Sequence, residues 1–151
     1  MEYQQILSSL APCGLSCETC FARVGGDIHR LSRELKDKLG NFAPYAKRFE
    51  NMLEVPVFQK YPDFAAMLDY FGSNNCLGCR SEQCRLFKNC GIRPCHQQKG
   101  VDFCFQCDEF PCDKTNFDQS LQKAWVLINE KIRKTGVEQY YEKTQTRPRY
   151  V

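Results

Sequence analysis

The sequence predicts a mainly α protein, a small helical domain interrupted by irregular cysteine-rich loops. Apolar residues recur at helical spacing on both sides of a cysteine block, and glycine and proline punctuate that block so often that no period survives within it. The elements follow in order. Ile28, Leu31, Leu35 and Leu39 form one stripe behind Gly25-Gly26, with Asp27 as the expected N-cap and Gly40 as the stop. Tyr45, Phe49, Met52 and Leu53 form a second stripe after Pro44, a residue suited to a first helical turn. Phe64, Met67, Leu68 and Phe71 form a third, closed by Gly72. These stripes read as core packing. Gly78, Gly91, Pro94, Gly100 and Pro111 then predict loops and short helical turns. Leu121, Trp125, Ile128 and Ile132 share one face of a helix over about 118–135, with Gly136 as its C-terminal signal, and a shorter helix is expected over 137–143. The tail 146–151 is expected to be loosely held.

At 151 residues the chain fits a single domain, 1–151, able to bury a modest core unaided. Its eleven cysteines therefore need a chemical reason beyond packing. Disulfides and metal ligation compete for that role. The opening residues carry no basic n-region, and residues 6–12 are too short and polar for a secretory h-region. No apolar run approaches the ~20 residues that span a bilayer. A cytoplasmic location with reduced thiols and no membrane partner is the expectation. The formal charge of +3 counts every cysteine as neutral. Two zinc ions on eight thiolates would bring the total to about −1, so whole-chain charge does not point to nucleic acid.

The cysteines fall into Cys13, Cys17 and Cys20 and a block from Cys76 to Cys112, with none in 21–75. Cys76-Leu77-Gly78-Cys79 and Cys104-Phe105-Gln106-Cys107 are Cys-x-x-Cys pairs, a spacing that lets two sulfurs meet one tetrahedral ion. With Cys84, Cys90, Cys95 and Cys112 the block holds enough sulfur for two four-thiolate sites. The N-terminal three form Cys-x-x-x-Cys-x-x-Cys. A helix entered near Ser16 would put Cys17 and Cys20 on one face, and a closed site would recruit its fourth ligand from the later block. Zinc is the expected metal, as two ions, with an iron–sulfur cluster as the alternative because clusters also use four thiolates. Cys84, beside Arg85, Leu86 and Phe87, reads as a small packed hydrophobe. His96 is an alternative ligand, and His29 is expected to face outward without a role.

Cys-Gly-Leu-x-Cys-x-x-Cys at 13–20, Cys-x-Gly-Cys-Arg at 76–80, Cys-x-Ile-Arg-x-Cys at 90–95 and Cys-x-x-Cys-x-x-x-Pro-Cys at 104–112 together resemble the prokaryotic cysteine-rich domain of unknown function family 3795. The resemblance covers 11–114 and leaves 115–151 as a C-terminal helical extension. It implies a prokaryotic origin and zinc ligation by Cys13, Cys17, Cys20, Cys76, Cys79, Cys90, Cys95, Cys104, Cys107 and Cys112. Cys84 lies outside its pattern. The N-terminal spacing is also similar to that of radical S-adenosylmethionine enzymes, but those need a large α/β barrel that this chain is too short to supply.

The function expected from these features is a protein-interaction or regulatory module with structural zinc. A redox or metal-sensing protein is the alternative, since metal-free Cys-x-x-Cys thiolates are good nucleophiles. A nucleic-acid module would use Arg80, Arg85, Lys88, Arg93 and Lys99 with Phe87 and Phe103. No zinc-protease, phosphate-loop or nucleophile-elbow motif is present, and no catalytic residue is assigned.

Overall fold

The computed structural model describes residues 2–81 and 83–150, so Val151 of the expected loose tail lies outside them. Among the described residues seven α-helices form: α1 (Tyr3–Ser9), α2 (Asp27–Leu39), α3 (Ala43–Leu53), α4 (Tyr61–Gly72), α5 (Ile92–Gln98), α6 (Gln119–Thr135) and α7 (Val137–Gln145). Short 3-10 turns occupy Pro56–Lys60 and Cys104–Gln106. Strand pairing among the described residues is confined to isolated bridges, Leu10 with Ser16 and Arg23 with Cys76.

The three stripes of 28–71 become α2, α3 and α4, which pack on one another and on the Pro56–Lys60 turn as a lobe. Phe42, Phe49, Phe58 and Tyr61 cluster at one end of it, with the Phe42 and Tyr61 ring centroids 5.1 Å apart. Three expectations need correction here. Much of the apolar stripes is open, Leu31 being 51% and Met67 51% exposed, because three short helices offer too little opposing surface to cover them. Small or polar residues, Ala46, His29 and Ser32, take inner positions beside Leu68. His29 is therefore buried, and its Nδ1 accepts from the Gly25 N–H at 3.3 Å. The N-cap of α2 is Gly26; Asp27 is the first helical residue and pairs with Arg30 at 3.0 Å.

The second half of the molecule is built on α6. Asp118 caps it, its carboxylate accepting from Leu121 N–H at 2.9 Å. Ile132 packs with Phe103, with Ile6, Leu7 and Leu10 of α1 and its C-cap, and with Tyr140 and Tyr141 of α7. Helix α1 carries too few apolar residues to announce itself and is held by this tertiary burial. On the neighbouring face of α6, Trp125 packs with Ala11, Ile92 and the cysteine loops, its ring 4.8 Å from that of Phe110. The loop at Gly14 runs so close to α6 that a Cβ there would sit 2.8 Å from Ile132 Cδ1, and its φ of +87° adds a second reason for glycine. The described tail is docked rather than loose. Arg149 donates to Ser16 C=O, and Tyr150 Oη accepts from Phe21 N–H at 3.2 Å. No helix among the described residues is long and apolar enough to cross a membrane.

Candidate metal centre

Cys13, Cys17 and Cys20 lie in consecutive turns, not on the helix expected near Ser16. Backbone bonds set those turns: Gly14 N–H to Ala11 C=O at 2.8 Å, Cys17 N–H to Ser9 C=O at 2.7 Å and Cys20 N–H to Cys17 C=O at 3.2 Å. Packing against α6 and the pairing of Leu10 with Ser16 leave no room for the segment to coil as a helix. The Cys76 loop is stitched beside it, Cys76 N–H bonding to Ala22 C=O and Val24 N–H to Cys76 C=O, both at 3.1 Å. Cys79 N–H then donates to Cys17 Sγ at 3.3 Å. Gly78 makes this approach feasible, with φ +103° and a Cβ position 2.7 Å from Arg23 Nη1.

The remaining cysteines are placed by α5, the Cys104–Gln106 turn and α6. Asn129, fully buried, donates from Nδ2 to Cys13 C=O and Trp125 C=O at 2.9 Å each, and its Oδ1 accepts from Phe105 N–H at 3.1 Å. One side chain thus fixes the N-terminal loop and the Cys104 turn to the same helix. Arg80 adds a second clamp, donating to Leu7, Leu10 and Asp102 carbonyls at 2.8, 3.0 and 2.7 Å.

The result is two cysteine-lined cavities. Cys13, Cys17, Cys20, Cys76, Cys79, Cys84 and Cys90 line the first, with ≈ 30 Å³ of open space. Cys95, Cys104, Cys107 and Cys112 line the second, also ≈ 30 Å³, together with His96 and Trp125. Either volume exceeds the roughly 10–15 Å³ that one water-sized body needs. All eleven cysteines are free thiols. Among the described residues no three His, Cys, Asp or Glu side chains already converge closely enough to hold an ion, so ligation would require the sulfurs to close onto the cavities.

The donor set and its surroundings nevertheless fit a thiolate-bound metal. Among the described residues the buried side-chain nitrogens without a hydrogen-bond partner are Arg93 Nε, His96 Nε2 and Trp125 Nε1, and each belongs to a residue lining one of these cavities. Buried polar groups are almost always paired, so the Arg93 Nε and Trp125 Nε1 donors left unpaired beside these cavities suit a thiolate acceptor. His96 Nδ1 lies 3.2 Å from Val101 C=O; with Nδ1 protonated the ring donates there and leaves the Nε2 lone pair free. Burial keeps His96 below the ordinary imidazole range.

Burial also pushes the Cys13 thiol up to about 12 and that of Cys104 up to about 11. The Cys17 thiol is lowered, chiefly because Cys79 donates to its sulfur, and Cys79 is correspondingly raised by holding the shared proton. Arg149 and Arg23 lower Cys17 further. At Cys84, burial is outweighed by the Leu86 and Phe87 backbone N–H groups and Cys79, leaving the thiol below its ordinary range.

The ten cysteines assigned from sequence divide six and four between the cavities, with none stranded. Cys84, expected as a packed hydrophobe, is buried in the cluster of Cys20, Ala22 and Cys76, and it also lines the first cavity with its Sγ 3.7 Å from Cys79 Sγ. Arg23, Arg149 and Asn129 were not legible as site residues. The available signal was a buried-register Asn four residues after Trp125 in α6.

A family model described as protein of unknown function (DUF3795) matches residues 9–117, slightly wider at both ends than the sequence motifs alone indicate. Neither the curated proteins nor the solved structures give a match. The match spans all eleven cysteines, and the chain belongs to the DUF3795 family.

Proposed function

We propose that this chain is a zinc-binding protein-interaction module in which the metal is structural. The observation carrying this reading is the coincidence of the two cysteine-lined cavities with the unpaired buried nitrogens of Arg93, His96 and Trp125. In the second cavity Cys95, Cys104, Cys107 and Cys112 would complete a tetrahedron and leave no open position for substrate. In the first, sulfurs from Cys13, Cys17 and Cys20 would share metal with those of Cys76, Cys79 and Cys90. Zinc would supply charge compensation for the thiolates and cross-links between loops that have little regular backbone pairing of their own. The protein contributes the shaped walls and N–H donors.

Exposed apolar side chains on the α2–α4 lobe, among them Leu35, Met52, Leu53 and Phe64, support a protein partner. The nucleic-acid reading draws less support. Arg80 and Arg93 donate to backbone carbonyls, Lys99 pairs with Glu109, and Phe103 is fully buried. A redox role is favoured by one observation, the proximity of Cys79 and Cys84. Mild treatment with a hydroperoxide separates the readings. Structural zinc is retained, whereas a redox sensor releases it reversibly. Loss of most bound zinc under conditions that spare the helices would overturn the structural assignment.

A further inference from the structure

Seven sulfurs do not suit one four-coordinate ion, and the first cavity holds that number. Two tetrahedral ions sharing a single bridging thiolate require seven. The packing supplies a candidate for the shared position. Of the seven, Cys13, Cys17 and Cys90 belong to the group gathered around Ala11, Ile92 and Trp125, which also takes in Cys104 and Cys112 of the second cavity, whereas Cys20, Cys76 and Cys84 gather around Ala22. Cys79 packs against both groups and is the residue they have in common.

The local geometry agrees. Cys79 meets the first group through its N–H on Cys17 Sγ at 3.3 Å, and the second through its own sulfur, 3.7 Å from Cys84 Sγ. That separation is far longer than a disulfide bond and matches the ~3.8 Å edge of a zinc–thiolate tetrahedron with ordinary Zn–S bonds. Seven thiolates around two dications carry about three negative charges. Arg93 and Arg149 line this cavity, and Arg23 reaches its rim against Gly78.

We propose that the first cavity is a dinuclear thiolate site in which Cys79 bridges one ion held with Cys13, Cys17 and Cys90 and another held with Cys20, Cys76 and Cys84. The inference rests on the zinc reading and extends it. It gives Cys84 a ligand role, raises the expected content from two ions to three, and uses every cysteine of the chain, since the second cavity accounts for the other four.

The test is anaerobic reconstitution of the full chain with ¹¹³Cd²⁺, a spectroscopic surrogate for zinc, followed by ¹¹³Cd NMR and cadmium analysis. Three cadmium ions per chain are expected, two of them mutually coupled through the Cys79 sulfur and one isolated. Cys79→Ser removes the coupling, and Cys84→Ser reduces the content. Bound cadmium without any coupled pair in the native sequence overturns the bridge while leaving thiolate ligation standing. Absence of cadmium binding overturns the zinc reading itself. The native spectrum decides the matter even if a variant fails to fold.

Discussion

Asn129 ties two cysteine segments to one helix. It is fully buried, donates to Cys13 and Trp125 carbonyls and accepts from Phe105 N–H, so its amide registers both cysteine segments on α6. Asn129→Ala leaves a buried carbonyl and a buried N–H without partners, and a loss of about 2–4 kcal/mol is expected. Urea unfolding of the metal-loaded protein measures it; a change below about 0.5 kcal/mol would remove Asn129 from this role. Cys107 and His96 distinguish ligand from neighbour in the second cavity. Cys107→Ser is expected to lose about one zinc per chain and to melt at lower temperature. His96→Ala is expected to keep its zinc, because in the proposed site four thiolates would complete the tetrahedron without it. The opposite pattern in metal analysis would place the imidazole in the coordination sphere.

At the scale of elements, the helical lobe and the cysteine half draw on different sources of stability. Leu68 is buried within the lobe, between helices whose other apolar residues are largely open. Leu68→Ala is expected to cost about 2–4 kcal/mol locally while leaving zinc content unchanged. Hydrogen exchange should quicken in α2 and α4 with α6 still protected; uniform acceleration would show that the halves unfold together. The spans of α2, α3, α4, α6 and α7 were legible because helical period and Gly or Pro punctuation act locally. Helix α1 was not, since Ile6 and Leu7 gain their burial from Phe103, Ile132 and α7, residues remote in the chain. The docked tail escaped for the same reason: Arg149 and Tyr150 find their partners near Ser16 and Phe21.

Across the whole molecule, cysteine spacing identified the residues that line the two cavities but not their grouping, because the backbone bonds of Cys76 to Ala22 and Val24 bring distant loops together. The approach of Cys84 to Cys79 was not legible, because the fold makes that contact while the immediate neighbours of Cys84 look like packing residues. Metal binding should depend strongly on pH. Cys13 and Cys104 are pushed up to about 12 and about 11 by burial, so they hold protons in the metal-free protein at neutral pH and must release them on ligation. Affinity is therefore expected to rise with pH through the neutral range and to fall on acidification. Competition with a chromophoric chelator at several pH values measures the slope, and a flat profile would argue against thiolate ligands. Elemental analysis with a visible absorption spectrum, on protein purified anaerobically without added metal, tests the central claim most directly. Zinc in a colourless protein is the predicted result; iron with broad visible absorption, or protein that is folded and free of metal, would contradict it.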